Sequence, residues 1–163
     1  MQLTQKERSL LQDQLKHEEV CVQKYRKYAG QANDPQLRQL FDQLAAQEEE
    51  HHGTINQMLQ GHVPLMGGIQ ANQQVTQQSG PATRMMSGGV GNATGSGGAN
   101  QDAQLCSDML MTEKYVSGAY DTSVFEFTDH DARQALNHIQ GEEQQHGEAI
   151  FNYMSQNGMY NPQ

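Results

Sequence analysis

The sequence predicts an all-α protein, a four-helix bundle made of two repeated helical hairpins that a long crossover joins. Three observations predict this fold. Four stretches of the 163-residue chain carry apolar residues at alternating steps of three and four, which is the spacing of one helical face. The first two stretches match the last two after a shift of 95 residues. Between the two pairs lie 40 residues rich in Gly, Gln, Ser and Asn that follow no period.

The first predicted hairpin runs from residue 4 to about residue 60. Thr4 followed by Glu7 is a capping box, and the helix that it starts runs to about Ala29. The stretch "GQANDP" ends this helix, and it supplies Asp34 as N-cap and Pro35 as first residue of the second helix. The predicted inward residues are Leu11, Leu15, Glu18, Val22, Tyr25 and Ala29 in the first helix, then Leu37, Phe41, Leu44, Glu48, His51, Ile55 and Met58 in the second.

The second predicted hairpin covers residues 101–157. Its first helix spans about 101 to 127, and Asp129 caps a last helix that Gly158 closes. The predicted inward residues are Cys106, Leu110, Glu113, Ser117, Tyr120 and Val124, followed by Ala132, Leu136, Ile139, Glu143, His146, Ile150 and Tyr153.

The repeat extends to the polar residues of the two hairpins. The shift by 95 places Glu18 on Glu113, Tyr25 on Tyr120, Asp34 on Asp129, Arg38 on Arg133, Glu48 on Glu143 and His51 on His146. The match has no gap, so it predicts two hairpins related by a pseudo-twofold axis.

The segment 61–100 is long enough to cross the whole bundle. A helix of about 26 residues is roughly 40 Å long, and an extended chain covers that distance in about 12 residues. We therefore expect a flexible crossover with slack, where an up-down-up-down bundle needs only a short loop. One such crossover is typical of ferritin-like bundles, and residues 1–163 are predicted to form a single domain of that kind.

Composition excludes several classes of partner. The formal net charge is −9 and the pI about 5.1, and the ten Lys and Arg form no basic patch, so neither a nucleic acid nor an anionic membrane is expected as partner. Cys21 and Cys106 form no Cys-x-x-Cys pair and predict no zinc or disulfide framework. The start "MQLTQKERSLL" lacks the apolar stretch of a signal peptide, and no apolar run is long enough to span a bilayer, so a cytoplasmic protein is expected.

Each of the four helices carries an acid, or an acid and a histidine, where a bundle would otherwise place leucine. These residues are Glu18, Glu48, His51, Glu113, Glu143 and His146. The two acids of each hairpin are 30 residues apart, which brings them to equal depth. In each Glu-x-x-His pair the two side chains lie one turn apart on one helical face, so both reach the same metal ion.

Electroneutrality predicts two divalent cations at this place. Burying even one unpaired carboxylate costs several kcal/mol, and no Lys or Arg lies on the inward faces. One Glu from each of two helices plus a Glu-x-x-His from each of the other two is the ligand pattern of di-iron and di-manganese proteins. Oxygen and imidazole ligands suit two iron or two manganese ions, or a mixed pair, and argue against structural zinc.

The same residues allow plainer interpretations. A single Glu-x-x-His is usually part of a solvated face, and only the repetition at core positions makes metal the favoured reading. Glu49, Glu50, His52, Glu142 and His17 are predicted to lie at the surface. A register error of one residue would exchange Glu48 and His51 for Glu49 and His52, but the repeat does not preserve Glu49 or His52 and so favours the first pair. Tyr25 and Tyr120 lie two turns from the acids. They are candidates to bind the ligands or supply electrons, and core packing is the favoured alternative.

The second half of the chain resembles the spore coat protein F family of endospore-forming bacteria. The segments "EKYVSGAY", "DHDAR" and "MSQNGMYNP" carry the resemblance, which covers about 60 residues, and the first half matches more loosely as its repeat partner. The family belongs to the ferritin-like superfamily, whose ligand motif the six residues above match one by one. The resemblance implies association with sporulation and the spore coat. The sequence has no rubredoxin-type Cys-x-x-Cys module, so a rubrerythrin-like electron path is not expected.

Two functions remain open at this point. The first is a dinuclear metal protein that reacts with O2 or peroxide as an oxidase, peroxidase, ferroxidase or manganese-catalase-like enzyme. The second is a structural coat component that contacts other coat proteins and whose metal, if bound, only stabilises the bundle. A metal-free helical adaptor is the least favoured reading, and a homo-oligomer is compatible with all three.

Overall fold

A computed structural model describes residues 1–64 and 96–160 of the chain, and these residues form four helices. The helices are α1 (Gln5–Gln31), α2 (Pro35–Leu59), α3 (Ser96–Glu126) and α4 (His130–Gln156). The helices α1 and α2 form hairpin 1, and α3 and α4 form hairpin 2. The two hairpins meet mainly along α1 and α3, and the predicted all-α four-helix bundle is confirmed.

Side chains cap three of the helices as the sequence predicted. At the start of α1, the Thr4 hydroxyl accepts a hydrogen bond from the Glu7 N–H (3.2 Å), and the Glu7 carboxylate accepts one from the Thr4 N–H (2.8 Å). Asp34 accepts from the backbone of α2 at 2.9 Å and Asp129 from the backbone of α4 at 2.9 Å. These bonds satisfy N–H groups that have no partner within their own helix.

Hydrogen bonds at the two ends of the bundle define how the helices are connected. The N-terminal amine of Met1, at the start of α1, donates to the Gly61 carbonyl just after α2 (2.9 Å). At the other end of α1, Asn33 donates to the Gly98 carbonyl in the first turn of α3 (3.3 Å). The end of α2 and the start of α3 therefore lie at opposite ends of the bundle, which is the geometry that requires a crossover.

Helix α3 begins earlier than predicted. The sequence assigned residues 61–100 to the crossover, whereas α3 starts at Ser96 and includes two glycines of that segment. The Asn33 side chain packs against the first turn of α3, and a Cβ at Gly98 would lie 3.3 Å from its Cγ. A contact with the other hairpin thus stabilises a turn that its own glycines disfavour. The rest of the predicted crossover, residues 65–95, lies outside the described residues.

The buried faces agree with prediction in two helices and differ in the other two. Every predicted inward residue of α2 and α4 is buried. In α1 and α3, the predicted inward residues that are only half-buried are Leu15, Val22, Leu110, Ser117 and Val124, and the residues buried in their place are Gln14, Cys21, Met109, Val116 and Ser123.

A polar pair explains part of this difference. The Gln14 amide donates to the Ser123 hydroxyl at 3.1 Å between α1 and α3, and both side chains are buried. A hydrogen-bonded pair of this kind is stable inside a core, but neither partner reveals it when each helix is ranked by hydropathy alone.

Two buried carboxylates tie the hairpins together, one at each end of the bundle. Glu7 accepts from the backbone N–H (2.9 Å) and the hydroxyl (3.0 Å) of Thr128, in the turn between α3 and α4. Asp102 accepts from the backbone N–H groups of Asn33 (2.8 Å) and Asp34 (3.0 Å), in the turn between α1 and α2. Glu7 and Asp102 are repeat partners, so the pseudo-twofold axis relates the two ties.

Candidate metal centre

The six candidate ligands converge at mid-height of the bundle. Glu18 lies on α1, Glu113 on α3, and the two Glu-x-x-His pairs on α2 and α4. All six residues are buried, and none is more than 3% exposed. The helices thus bring together every residue that the sequence assigned to this place.

Their ligand atoms form two overlapping groups. The first group contains Glu18, Glu48, His51 and Glu143, and the second contains Glu48, Glu113, Glu143 and His146. Within each group, one ligand atom from each residue lies within 4.8 Å of the others. Glu48 and Glu143 belong to both groups, so they would be shared if both positions held an ion, whereas Glu18 and Glu113 each belong to one group.

Both histidines face the groups through Nδ1. The His51 Nδ1 lies 3.0 Å from a Glu143 oxygen, 3.4 Å from Glu48 and 3.6 Å from Glu18. The His146 Nδ1 lies 2.9 Å from Glu48 and 3.9 Å from Glu113. The two rings are nearly parallel, with their centroids 5.5 Å apart. One imidazole nitrogen therefore faces each candidate position.

Burial makes the carboxylates of this cluster hard to ionise. Burial and the neighbouring Glu143 carboxylate raise the pKa of Glu113 to about 9. Burial, only partly offset by His51, raises the pKa of Glu18 and that of Glu143 to about 7. The pKa of Glu48 is raised for the same reason. Without cations, the core holds protons that its carboxylates would otherwise release at neutral pH.

The residues fit a pair of divalent cations. Seven buried oxygen and nitrogen atoms of these six side chains have no hydrogen-bond partner in the described part of the chain. Among the described residues, no Lys or Arg forms an ion pair with any of the four acids. Buried polar atoms are normally satisfied, and two divalent cations would satisfy the charge and the lone pairs together.

Two tyrosines hold the carboxylates that belong to one group only. The Tyr25 hydroxyl donates to Glu113, and the Tyr120 hydroxyl donates to Glu18. Tyr25 also packs against Phe41, so the favoured packing role and the alternative contact with a ligand are both present. Burial and the adjacent carboxylates raise the pKa of both tyrosines well above the ordinary value, which keeps their protons in place.

One contact was missed by the sequence analysis, which placed Glu142 at the surface. Its carboxylate lies 3.0 Å from the His51 Nε2, on the side of the ring that faces away from the cluster, and its side chain is only 30% exposed. Because Glu142 approaches His51 from the opposite hairpin, spacing along one helix does not reveal the contact. The one signal in the sequence is a break in the repeat: the position that holds Glu142 in hairpin 2 holds Gln47 in hairpin 1.

Two of the other acids lie at the surface as predicted, whereas His17 and His52, also predicted at the surface, are half-buried. Glu49 is exposed and forms an ion pair with Arg26 at 3.0 Å, and Glu50 is also exposed. Cys21 and Cys106 are buried free thiols that belong to neither ligand group.

A cleft of about 470 Å³ between α3 and α4 reaches the cluster, and Glu113 and Glu143 line its floor. Three small residues border it, Ser117, Gly118 and Gly147, where hairpin 1 carries Val22, Gln23 and His52. The depression between α1 and α2, of about 320 Å³, touches none of the six ligands. Of these two openings in the described part of the chain, the one on hairpin 2 lies next to the cluster.

Comparison with known protein families gives two matches. The Coat F domain matches residues 101–163, and the Rubrerythrin family matches residues 9–80. No curated protein and no solved structure matches the chain. No helix in the described residues has the length and apolar character needed to cross a membrane. Rubrerythrin is a ferritin-like family, so the resemblance predicted from the sequence is confirmed: the chain is a ferritin-like four-helix bundle that matches the Coat F domain in its second half.

Proposed function

We propose that the protein binds two iron or two manganese ions in the core of the bundle and carries out redox chemistry of the oxidase, peroxidase or ferroxidase type. The observation that carries the proposal is the pair of ligand groups that share Glu48 and Glu143. Four carboxylates balance the charge of two divalent ions, and one imidazole is available at each position. The donor set of oxygen and imidazole suits iron and manganese.

The side chains around the two groups contact the four carboxylates differently. The tyrosine hydroxyls fix Glu18 and Glu113, each of which serves one position. The tyrosines give no hydrogen bond to Glu48 or Glu143 in the described residues, and these shared carboxylates face the two histidines instead. When bound, two ferrous or manganous ions supply the electrons that reduce O2 or peroxide.

The cleft between α3 and α4 supports a small oxidant as substrate. It reaches Glu113 and Glu143, and its mouth includes the polar side chains of Gln140 and Gln144. Molecules of the size of O2 and hydrogen peroxide fit such an opening, and the burial of the ligands keeps larger reductants at a distance.

The Coat F match supports an association with the spore coat. The match covers residues 101–163, which include α3 from its second turn and the whole of α4. We extend the proposal to contacts with other coat proteins and to a homo-oligomer, which cross-linking in the native host would test.

The proposal is tested by anaerobic loading with ferrous iron, followed by addition of oxygen. We expect two iron atoms per chain and a visible absorption change as iron is oxidised. Glu48→Ala and Glu143→Ala should each abolish binding at both positions, because each removes a shared ligand. Glu49→Ala is the matched control, since this exposed neighbour of Glu48 belongs to neither group. Oxidation that persists at the wild-type rate in both Glu→Ala variants would exclude this site.

The alternative function is a structural coat component in which the ions only stabilise the bundle. The raised pKa values of the four acids favour it, because cations would remove the cost of ionising them in the core. A protein that binds two ions, melts at a higher temperature when loaded and oxidises no iron would support this alternative.

A further inference from the structure

The two histidines differ in what holds the ring nitrogen that faces away from the cluster. The His51 Nε2 lies 3.0 Å from a carboxylate oxygen of Glu142, and this N–H donates to it when Nδ1 is free to bind an ion. Glu142 is itself 3.5 Å from His138, one turn earlier on α4, which helps to hold its carboxylate near His51. Glu142 therefore holds the His51 ring on the side that faces away from the cluster.

His146 has no such support. Its Nε2 is buried and has no hydrogen-bond partner in residues 1–64 and 96–160. The repeat places Gln47 where Glu142 would be needed, and the structure shows Gln47 as an exposed residue without a hydrogen bond to the ring. Only one half of the pseudo-symmetric site therefore has a carboxylate behind its histidine.

A carboxylate behind a histidine ligand strengthens metal binding. It selects the tautomer with a free Nδ1, fixes the orientation of the ring and makes the imidazole more basic, and loss of such a partner typically costs about 10- to 100-fold in metal affinity. The neutral amide of Gln47 would not replace it even at the same distance, because it carries no charge.

We propose that Glu142 is a positioning residue that makes the two ion positions unequal, so that the position of His51 fills first and holds its ion more tightly than the position of His146. The inference rests on the proposed dinuclear site and deepens it. It predicts that a chain with one equivalent of metal carries the ion mainly with Glu18, Glu48, His51 and Glu143.

Titration with manganese(II) of the full chain tests the inference. We expect two binding steps in the wild type. Glu142→Gln should weaken the first step by about 10- to 100-fold and leave the second nearly unchanged. Gln47→Glu is the matched gain-of-function variant, since it introduces the missing carboxylate on the other half and should strengthen the second step. Thermal melting of the metal-free proteins shows whether either change perturbs the fold.

The order of filling has a direct readout that does not depend on activity. With zinc(II) as a diamagnetic probe, the ¹⁵N signals of the His51 ring should shift at the first equivalent and those of His146 at the second. In Glu142→Gln the two rings should shift together. A merely structural role for Glu142 would change stability but not this order.

The outcomes separate the two levels of the proposal. If the wild type binds two ions and Glu142→Gln leaves both steps and their order unchanged, the inference is overturned and the dinuclear site stands. If both steps weaken equally, the inference is again overturned. If the wild type binds no manganese and no zinc, the proposed function fails and this inference fails with it.

Discussion

Hairpin 1 and hairpin 2 carry the same groups inside the bundle and different groups around it. The ligands, the two tyrosines and the end ties Glu7 and Asp102 all recur after the shift of 95 residues. The residues that approach the cluster from outside do not recur: Glu142 corresponds to Gln47, and Gly147 corresponds to His52. The interior is thus nearly symmetric, whereas the described residues place both the cleft beside the cluster and the carboxylate behind a histidine on hairpin 2.

The largest expected effect concerns Glu18 and Glu113, two repeat partners with different pKa values. The pKa of Glu113 is raised by burial to about 9 and that of Glu18 to about 7, against 4.5 for an exposed glutamate. A raised pKa means that the folded state binds more protons, so the metal-free protein should lose stability as pH rises from about 4.5 to 9. Each group contributes to this loss between its ordinary pKa and its raised pKa.

Chemical denaturation in chelator at several pH values measures this loss. Glu113→Gln should reduce the slope between pH 7 and pH 9, where His51 also contributes because the surrounding carboxylates raise its pKa. Glu18→Gln should reduce the slope mainly below about pH 7. Saturating manganese should flatten the profile of the wild type. Identical profiles for the two variants would show that the two acids are equivalent.

The next effect concerns the two ties at the ends of the bundle. Glu7→Gln and Asp102→Asn each replace a charged acceptor of backbone N–H groups, and each should lower the free energy of unfolding by about 1.5–3 kcal/mol. Because the ties lie at opposite ends, the double variant should show the sum of the two losses. Urea denaturation at pH 7 measures all three values, and a strongly non-additive double variant would contradict independent ties.

The tie made by Glu7 also predicts a response to acid. Burial alone would raise its pKa, but the hydrogen bonds from Thr128 and Thr4 outweigh burial and lower the pKa to about 2. A lowered pKa stabilises the fold above about pH 4.5, and this contribution is lost as pH falls through about 2. The stability difference between the wild type and Glu7→Gln should therefore shrink in strong acid.

The smallest expected effect concerns Gly147 at the cleft. A Cβ there would lie 3.7 Å from Leu110 Cδ1 and 4.0 Å from Glu113 Cβ, which is ordinary contact. Gly147→Ala should therefore stabilise the protein by about 0.5–1 kcal/mol through helix propensity. The opposite change at the repeat position, His52→Gly, should destabilise it by a smaller amount. Thermal melting measures both shifts. A lower melting temperature for Gly147→Ala would mean that the cleft has no room for a methyl group at this position.

Most of the fold and the convergence of the six candidate ligands could be predicted from the sequence. Periodicity relates residues within one helix, and the repeat relates residues of equivalent helices. The sequence did not predict Glu142 beside His51, since that contact joins α4 to α2 and leaves no pattern along either helix. It preferred Leu15 to Gln14 in the core, because the partner of Gln14 is Ser123 on another helix. It ended the crossover at residue 100, because the contact of Gly98 with Asn33 depends on the folded arrangement.

The pseudo-twofold axis has a consequence for how such a site can vary. A homodimer of one short hairpin would supply all six ligands, but every mutation would then appear twice, once on each side of the ions. In one chain that contains two copies of the hairpin, a mutation in one copy leaves the other copy unchanged. One copy can hold a glutamate behind its neighbour's histidine while the other keeps glutamine, so a duplicated gene can specialise its two metal positions separately.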